Sequence, residues 1–225
     1  MNLKRMFATF FMECFFYRRN LPEFTGEEVQ AFEAAYAAAL NEGTSIRYSG
    51  PYPKHRLIQY IAQHHAVLLH GSNQMDIEQF EPRRQTLYNG EYVEAVFATK
   101  DGIWPVFYAV LDRSRLKGNF RNACFIGTGS KRYYYFSLTR DTLADYPWTA
   151  GTVYFLPEHT FRKSGEGYID FAEWVSPSFV KPLTQIEVEP NDFLYRNHVA
   201  CHNSKESIIT SWLCYKLRVR RSNGR

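Results

Sequence analysis

Three short stretches of this 225-residue chain combine residue types that can bind a flat, polar ligand. The apolar run Val67-Leu68-Leu69 delivers His70-Gly71-Ser72 where a buried strand should break into a loop. Glycine there lets a flat ligand approach a backbone that carries no Cβ. Phe97 and Tyr108 lie eleven positions apart, on either side of the turn Thr99-Lys100-Asp101-Gly102. A strand leading into a short helix would set one ring at the strand end and the other on the helix, flanking a slot. Stacking in such a slot draws on ring area and, for a cationic ligand, on cation–π attraction of about 0.5 to 2 kcal/mol. Glu173 sits within the apolar strand pattern Phe171-Ala172-Glu173-Trp174-Val175, where a carboxylate is costly unless it points into a polar site. Taken singly, each has a plain structural reading: a strand-end histidine, a turn glycine, core aromatics, an edge-strand glutamate facing water. Their joint occurrence, each on the kind of element it requires, favours a shared site.

In this order the histidine, aromatic and glutamate motifs resemble the ADP-ribosyltransferase superfamily, specifically its His-Tyr-Glu branch, which includes the poly(ADP-ribose) polymerases and many bacterial mono-transferases. The resemblance covers residues 66–190 and implies an α+β fold with a split β-sheet core. It implies NAD as substrate, with the nicotinamide–ribose bond cleaved through an oxocarbenium-like state. His70 would bond the adenosine ribose, Gly71 would offer backbone groups to the nicotinamide carboxamide, and Ser72 would bond the nicotinamide or its ribose. Tyr108 would stack on the ring, with Phe107 as the alternative if the register slips by one. Phe97 stands where many relatives have tyrosine, so the hydroxyl found there is missing. Glu173 would be catalytic, bonding the 2′-hydroxyl of the nicotinamide ribose and stabilising the cationic sugar. No metal is required, because the leaving nicotinamide already carries positive charge.

Arginine-modifying relatives carry a second glutamate two residues earlier, where this chain has Phe171, so arginine is a poor acceptor; poly-transferases need a site for a growing chain, which the sequence does not reveal, so mono-transfer is expected. By resemblance, residues 140–168 form the acceptor-facing loop, with Trp148, His159, Arg162, Lys163 and Tyr168, and Asp170 would orient an acceptor. Aromatic and basic groups can receive a nucleobase as readily as a protein side chain. With the basic residues Lys216, Arg218, Arg220, Arg221 and Arg225 at the C-terminus, they favour RNA or DNA slightly over protein. The implied settings are a toxin, a phage-defence factor or an effector, with an inhibitory partner protein to restrain it. The rival readings are a non-catalytic NAD-binding domain on the same fold and a nucleic-acid-binding domain without NAD chemistry.

The elements that must position these residues can be read from periodicity. Thr25 and Glu28 make a capping box ahead of a helix over residues 26–41, with Val29, Phe32, Tyr36 and Leu40 as its apolar stripe and Gly43 closing it. Pro53 starts a second helix through His65 with Leu57, Ile58 and Ile61 inward. These helices, with the apolar run Phe7–Phe16 read as a packed helix or a strand, make up an N-terminal helical extension over residues 1–65. From residue 66 the texture becomes strand-rich: 66–70, 93–98, 132–138, 152–157, 171–176 and 183–189, with a short helix at 102–111 and a hairpin turn at Gly127-Thr128-Gly129-Ser130. Residues 66–195 would be the catalytic domain, and 196–225 a basic segment whose alternating Tyr215–Arg220 reads as an edge strand and tail.

Composition fits a globular domain: 45% hydrophobic and 17% aromatic residues argue against disorder. The net charge of +4 suits a protein that meets an anion. Four cysteines without a Cys-x-x-Cys pair argue against a disulfide framework or zinc site and point to a reduced cytoplasm. No apolar run approaches the roughly 20 residues needed to cross a bilayer. Gly-rich phosphate loops, Gly-x-Ser-x-Gly elbows and His-Glu-x-x-His metal motifs are absent.

Overall fold

The computed structural model describes residues 3–86, 91–165 and 170–223, and its class is α+β, with helices packed on and between three mainly antiparallel sheets. Helix α1 (Leu3–Phe15) leads into strand β1 (Tyr17–Asn20), then helices α2 (Gly26–Glu42) and α3 (Lys54–His64). The capping box of α2 is formed: Glu28 N–H donates to Thr25 Oγ1 at 3.3 Å and Thr25 N–H to Glu28 Oε2 at 3.0 Å. Gly43 ends the helix in the left-handed region at φ 62°. Phe32 and Tyr36 face inward as expected, but Leu40 is exposed and Ala39 takes its place. Each step of four residues overshoots the helical period, so the two steps from Phe32 to Leu40 turn off the buried face. In α3, Leu57, Ile58 and Ile61 are all fully buried.

The remaining strands sort into three sheets. Strand β2 (Val67–Ser72) pairs with β7 (Gly151–Pro157), which pairs in turn with β11 (Thr184–Val188). Strands β3 (Arg83–Thr86), β4 (Tyr92–Ala98), β10 (Trp174–Ser176) and β8 (Arg162–Lys163) form the second sheet in that order. The third runs β1, β6 (Lys131–Thr139), β5 (Phe120–Ile126), β9 (Asp170–Phe171), with β12 (Ala200–His202) also on β6. Helix α4 (Trp104–Val110) packs on β2 and β7, and α5 (Arg140–Ala144) follows β6. One core draws Phe32, Leu57, Leu69, Phe107, Phe136 and Phe155 from helices and sheets alike, so α2 and α3 of the N-terminal extension share their interior with the sheets.

Two further expectations are corrected. Residues 215–220 do not form an edge strand: they lie in helix α6 (Ile208–Asn223). Tyr215 and Val219 are buried one helical turn apart, whereas Leu217, which a strand would place beside them, is exposed. The basic groups are partly committed, with Arg218 bonded to both oxygens of Glu206 at 2.6 and 2.9 Å and Lys216 Nζ donating to Glu13 O at 2.7 Å. Second, the strand expected over 171–176 is broken at Ala172-Glu173. Phe171 pairs with Phe125 in one sheet and Trp174 with Ala98 in another, and Glu173 stands at the crossing. Among the described residues no helix is long and apolar enough to cross a membrane.

Candidate functional site

The site forms where two strands part. β2 and β4 meet at an isolated bridge, Leu69 N–H to Thr99 O at 2.8 Å and Thr99 N–H to Leu69 O at 3.0 Å. Backbone groups alternate in direction along a strand, so Gly71 turns its N–H and C=O to the same side as those of Leu69, into the gap. That gap opens on a cavity of about 550 Å³ whose lining includes His70, Gly71, Ser72, Phe97, Tyr108 and Glu173. All six residues singled out in the sequence therefore line one concave surface.

His70 is half-buried beneath Phe80, with ring centroids 4.6 Å apart. Its Nδ1 lies 2.6 Å from Phe97 O. A carbonyl only accepts, so Nδ1 carries the proton and Nε2 is left as an acceptor. Burial pushes its pKa down to about 4, and the Arg113 and Arg83 charges act in the same sense, so the ring is neutral near pH 7. Phe97 contributes this carbonyl, while its ring packs with Ala95 and Val175. Ser72 Oγ accepts from Gln74 N–H at 3.0 Å.

Gly71 is glycine for a reason beyond ligand approach. A Cβ there would meet Pro105 O at 1.8 Å, and one at Gly151 would meet Ala109 O at 1.9 Å. Helix α4 thus lies backbone to backbone against β2 and β7, at a closeness only glycine allows. The turn before α4 is equally determined. Buried Asp101 accepts the Ile103 and Trp104 N–H groups at 2.9 and 2.8 Å through Oδ1, and the Tyr134 hydroxyl at 2.6 Å through Oδ2. Gln59 of α3 accepts Gly102 N–H at 2.7 Å.

This seating fixes Tyr108 and Trp104, one turn apart on α4 with ring centroids 6.3 Å apart. Asn122 of β5 stands behind them: its Oδ1 accepts Trp104 Nε1–H at 2.6 Å. Burial raises the Tyr108 pKa to about 12, with Asn122 and Arg113 opposing and the Glu173 charge adding to the rise. Phe107 is fully buried against Phe136 and Phe193, a core residue and no part of the cavity lining.

Glu173 comes from the crossing between β9 and β10, with Oε1 buried. Its carbonyl accepts Ser164 N–H at 3.1 Å. The segment read as an acceptor loop is mostly framework. It contains β7, the central strand of its sheet, and Trp148, which packs in the core with Phe193. Arg162 and Lys163 do lie exposed beside β10, His159 is exposed nearby, and Tyr168 falls outside the described residues.

Sequence reasoning missed Phe80, Arg83, Trp104 and Arg113 of the lining, and Asn122 behind it. A signal existed for Asn122: a hairpin turn at 127–130 requires a strand before it as well as after. Among the described residues no group of three or more His, Cys, Asp or Glu side chains is placed to hold a metal ion. Comparisons with protein-family models, curated proteins and solved structures find no match to this chain.

Proposed function

We propose that this chain is an NAD-dependent mono-ADP-ribosyltransferase that transfers ADP-ribose to a macromolecular acceptor. The observation that carries the reading is the convergence of His70, Gly71, Ser72, Tyr108 and Glu173 on one cavity. In that reading the Gly71 backbone groups that face the gap bond the carboxamide, and the neutral His70 accepts a ribose hydroxyl at Nε2. Tyr108 stacks on the nicotinamide. Glu173 bonds the 2′-hydroxyl of its ribose, and its charge favours the cationic sugar more than the bound substrate, the condition for a gain in rate. The bond from C1′ to the nicotinamide nitrogen breaks with its electron pair going to the neutral leaving ring. An acceptor nucleophile then bonds C1′ and releases its proton.

Arg162 and Lys163, exposed beside the strand that comes after Glu173, suit a polyanionic acceptor such as RNA or DNA. The test is incubation of purified protein with labelled NAD and, separately, cell RNA, DNA or protein. Glu173→Gln should lower nicotinamide release and label transfer about 100-fold or more, the size seen when a charge-stabilising group is removed, while leaving the fold intact. Equal NAD consumption by wild type and variant overturns the reading. Saturable NAD binding without turnover in wild type points instead to a recognition domain.

A further inference from the structure

One wall of the cavity is basic, and the transfer chemistry above leaves it unused. Arg83 on β3 and Arg113 in the turn after α4 both line the cavity and are exposed. Neither is ion-paired among the described residues. Nearby bases differ: Arg115 pairs with Asp112 at 3.2 Å and Lys100 with Glu158 at 2.7 Å. The carboxylates of the lining are Glu81 and Glu173. Both arginines stand close enough to His70 to disfavour its protonation. Of the three arginines in the lining, Arg84 lies against the Tyr92 ring, its Cζ 4.8 Å from the centroid, and the other two guanidinium groups, beside a neutral imidazole, suit an anion with several oxygens. Arg113 has a second engagement: its Cζ lies 5.7 Å from the centroid of the Tyr108 ring. A cation thus already sits over the aromatic that a cationic ligand ring would stack on.

The geometry points to Arg113 as a two-position specificity residue: it covers Tyr108 in the ligand-free protein and leaves that ring for a phosphate of the ligand, which it holds together with Arg83. This rests on the reading of the cavity as an NAD site and adds a selection rule to it. A ring that arrives joined to a phosphate draws Arg113 away as it binds. A ring without phosphate must compete with Arg113 for the same face, and its apparent affinity falls by the fraction of molecules in which the face is covered.

The test is calorimetric titration of the full chain with NAD, nicotinamide mononucleotide, nicotinamide riboside and inorganic pyrophosphate, in wild type, Arg83→Gln and Arg113→Gln. Wild type should prefer the mononucleotide to the riboside by about tenfold or more, the worth of charge-assisted hydrogen bonds to one phosphate. Each variant should shrink that ratio, and Arg113→Gln should bind the riboside at least as tightly as wild type. An unchanged ratio in both variants overturns the inference and leaves the NAD reading standing. Weaker riboside binding by Arg113→Gln overturns the covering role. Pyrophosphate binding that depends on both arginines, with no binding of NAD, removes the NAD reading and keeps the anion subsite. Binding of none of the four removes both.

Discussion

The two walls of the cavity are built on opposite principles. Behind the α4 side the polar groups are bound to protein: Asp101 to two backbone N–H groups and Tyr134, Asn122 to Trp104, while Gly71 packs against the Pro105 carbonyl. On the arginine side, Arg83 and Arg113 are exposed and without ion pairs among the described residues. The difference teaches where stability and binding reside. A wall made of buried contacts is part of the fold, so changing it costs stability first. A wall of solvated charge is nearly neutral to the fold and is left for the ligand proposed above.

Gly71→Ala should give the largest effect. The added methyl would stand 1.8 Å from Pro105 O, and the obstacle is backbone, which cannot rotate aside. Either α4 shifts or β2 does, at a cost of about 3 kcal/mol, the upper range for overpacking. Because Tyr108 rides on α4, ligand binding should fall with it. A urea transition unchanged in Gly71→Ala would show that the α4 wall is softer than its contacts imply.

Asp101→Asn comes next. Asparagine keeps one acceptor for the Ile103 and Trp104 N–H groups but turns an amide toward the Tyr134 hydroxyl, which now donates to Oδ2 at 2.6 Å. Losing a charge-assisted bond at a fully buried site should cost about 2 kcal/mol. Denaturant titration measures it, and Asp101→Ala, which strands three donors, should be worse.

That wall was also the more legible one in the sequence. His70-Gly71-Ser72, the turn before α4 and the ring at Tyr108 are local signals: an apolar run that stops, a glycine, an aromatic on a short helix. Arg83 and Arg113 gave no such signal, because a solvated arginine looks the same in sequence whether or not it borders a cavity. Glu173 was legible as a misplaced carboxylate, but the crossing between two sheets was not, since an apolar run shows burial and not which neighbour each half pairs with. The C-terminal error has a related cause. Alternation over Tyr215–Arg220 fits period 2, and the same residues place Tyr215 and Val219 four apart on a helix; the packing of α6 beside β12 and β6 decides it.

Histidine titration compares His70 of the cavity with His202 on β12, which is not part of the lining. Burial holds His70 down to about 4, and His202 likewise, bonded to Ser137 at 2.7 Å and Asn119 at 2.9 Å. A histidine whose folded pKa is depressed is neutral in the native state and takes up a proton on unfolding. Its contribution is therefore present above the unfolded value near 6.5 and lost as pH falls toward 4. Each such group should steepen the loss by up to about 1.4 kcal/mol per pH unit in that window. Urea midpoints measured from pH 7 to 4.5 should fall with pH, and His202→Gln should flatten the slope. A slope of the opposite sign would mean that these rings are protonated in the fold.

The smallest effect is expected where the charged wall is altered without a ligand. Arg83→Gln and Arg113→Gln remove solvated cations, and Arg113 also gives up its contact with the Tyr108 ring at 5.7 Å, so each should change stability by less than about 0.5 kcal/mol. Removing either charge should also ease protonation of His70, so its pKa, followed by NMR, should rise from about 4 in both variants. The rise should be modest, since burial is the larger cause and remains in place. A change of about 2 kcal/mol or more on losing either arginine would show that this wall, too, is part of the fold, and the contrast between the two sides of the cavity would then fail.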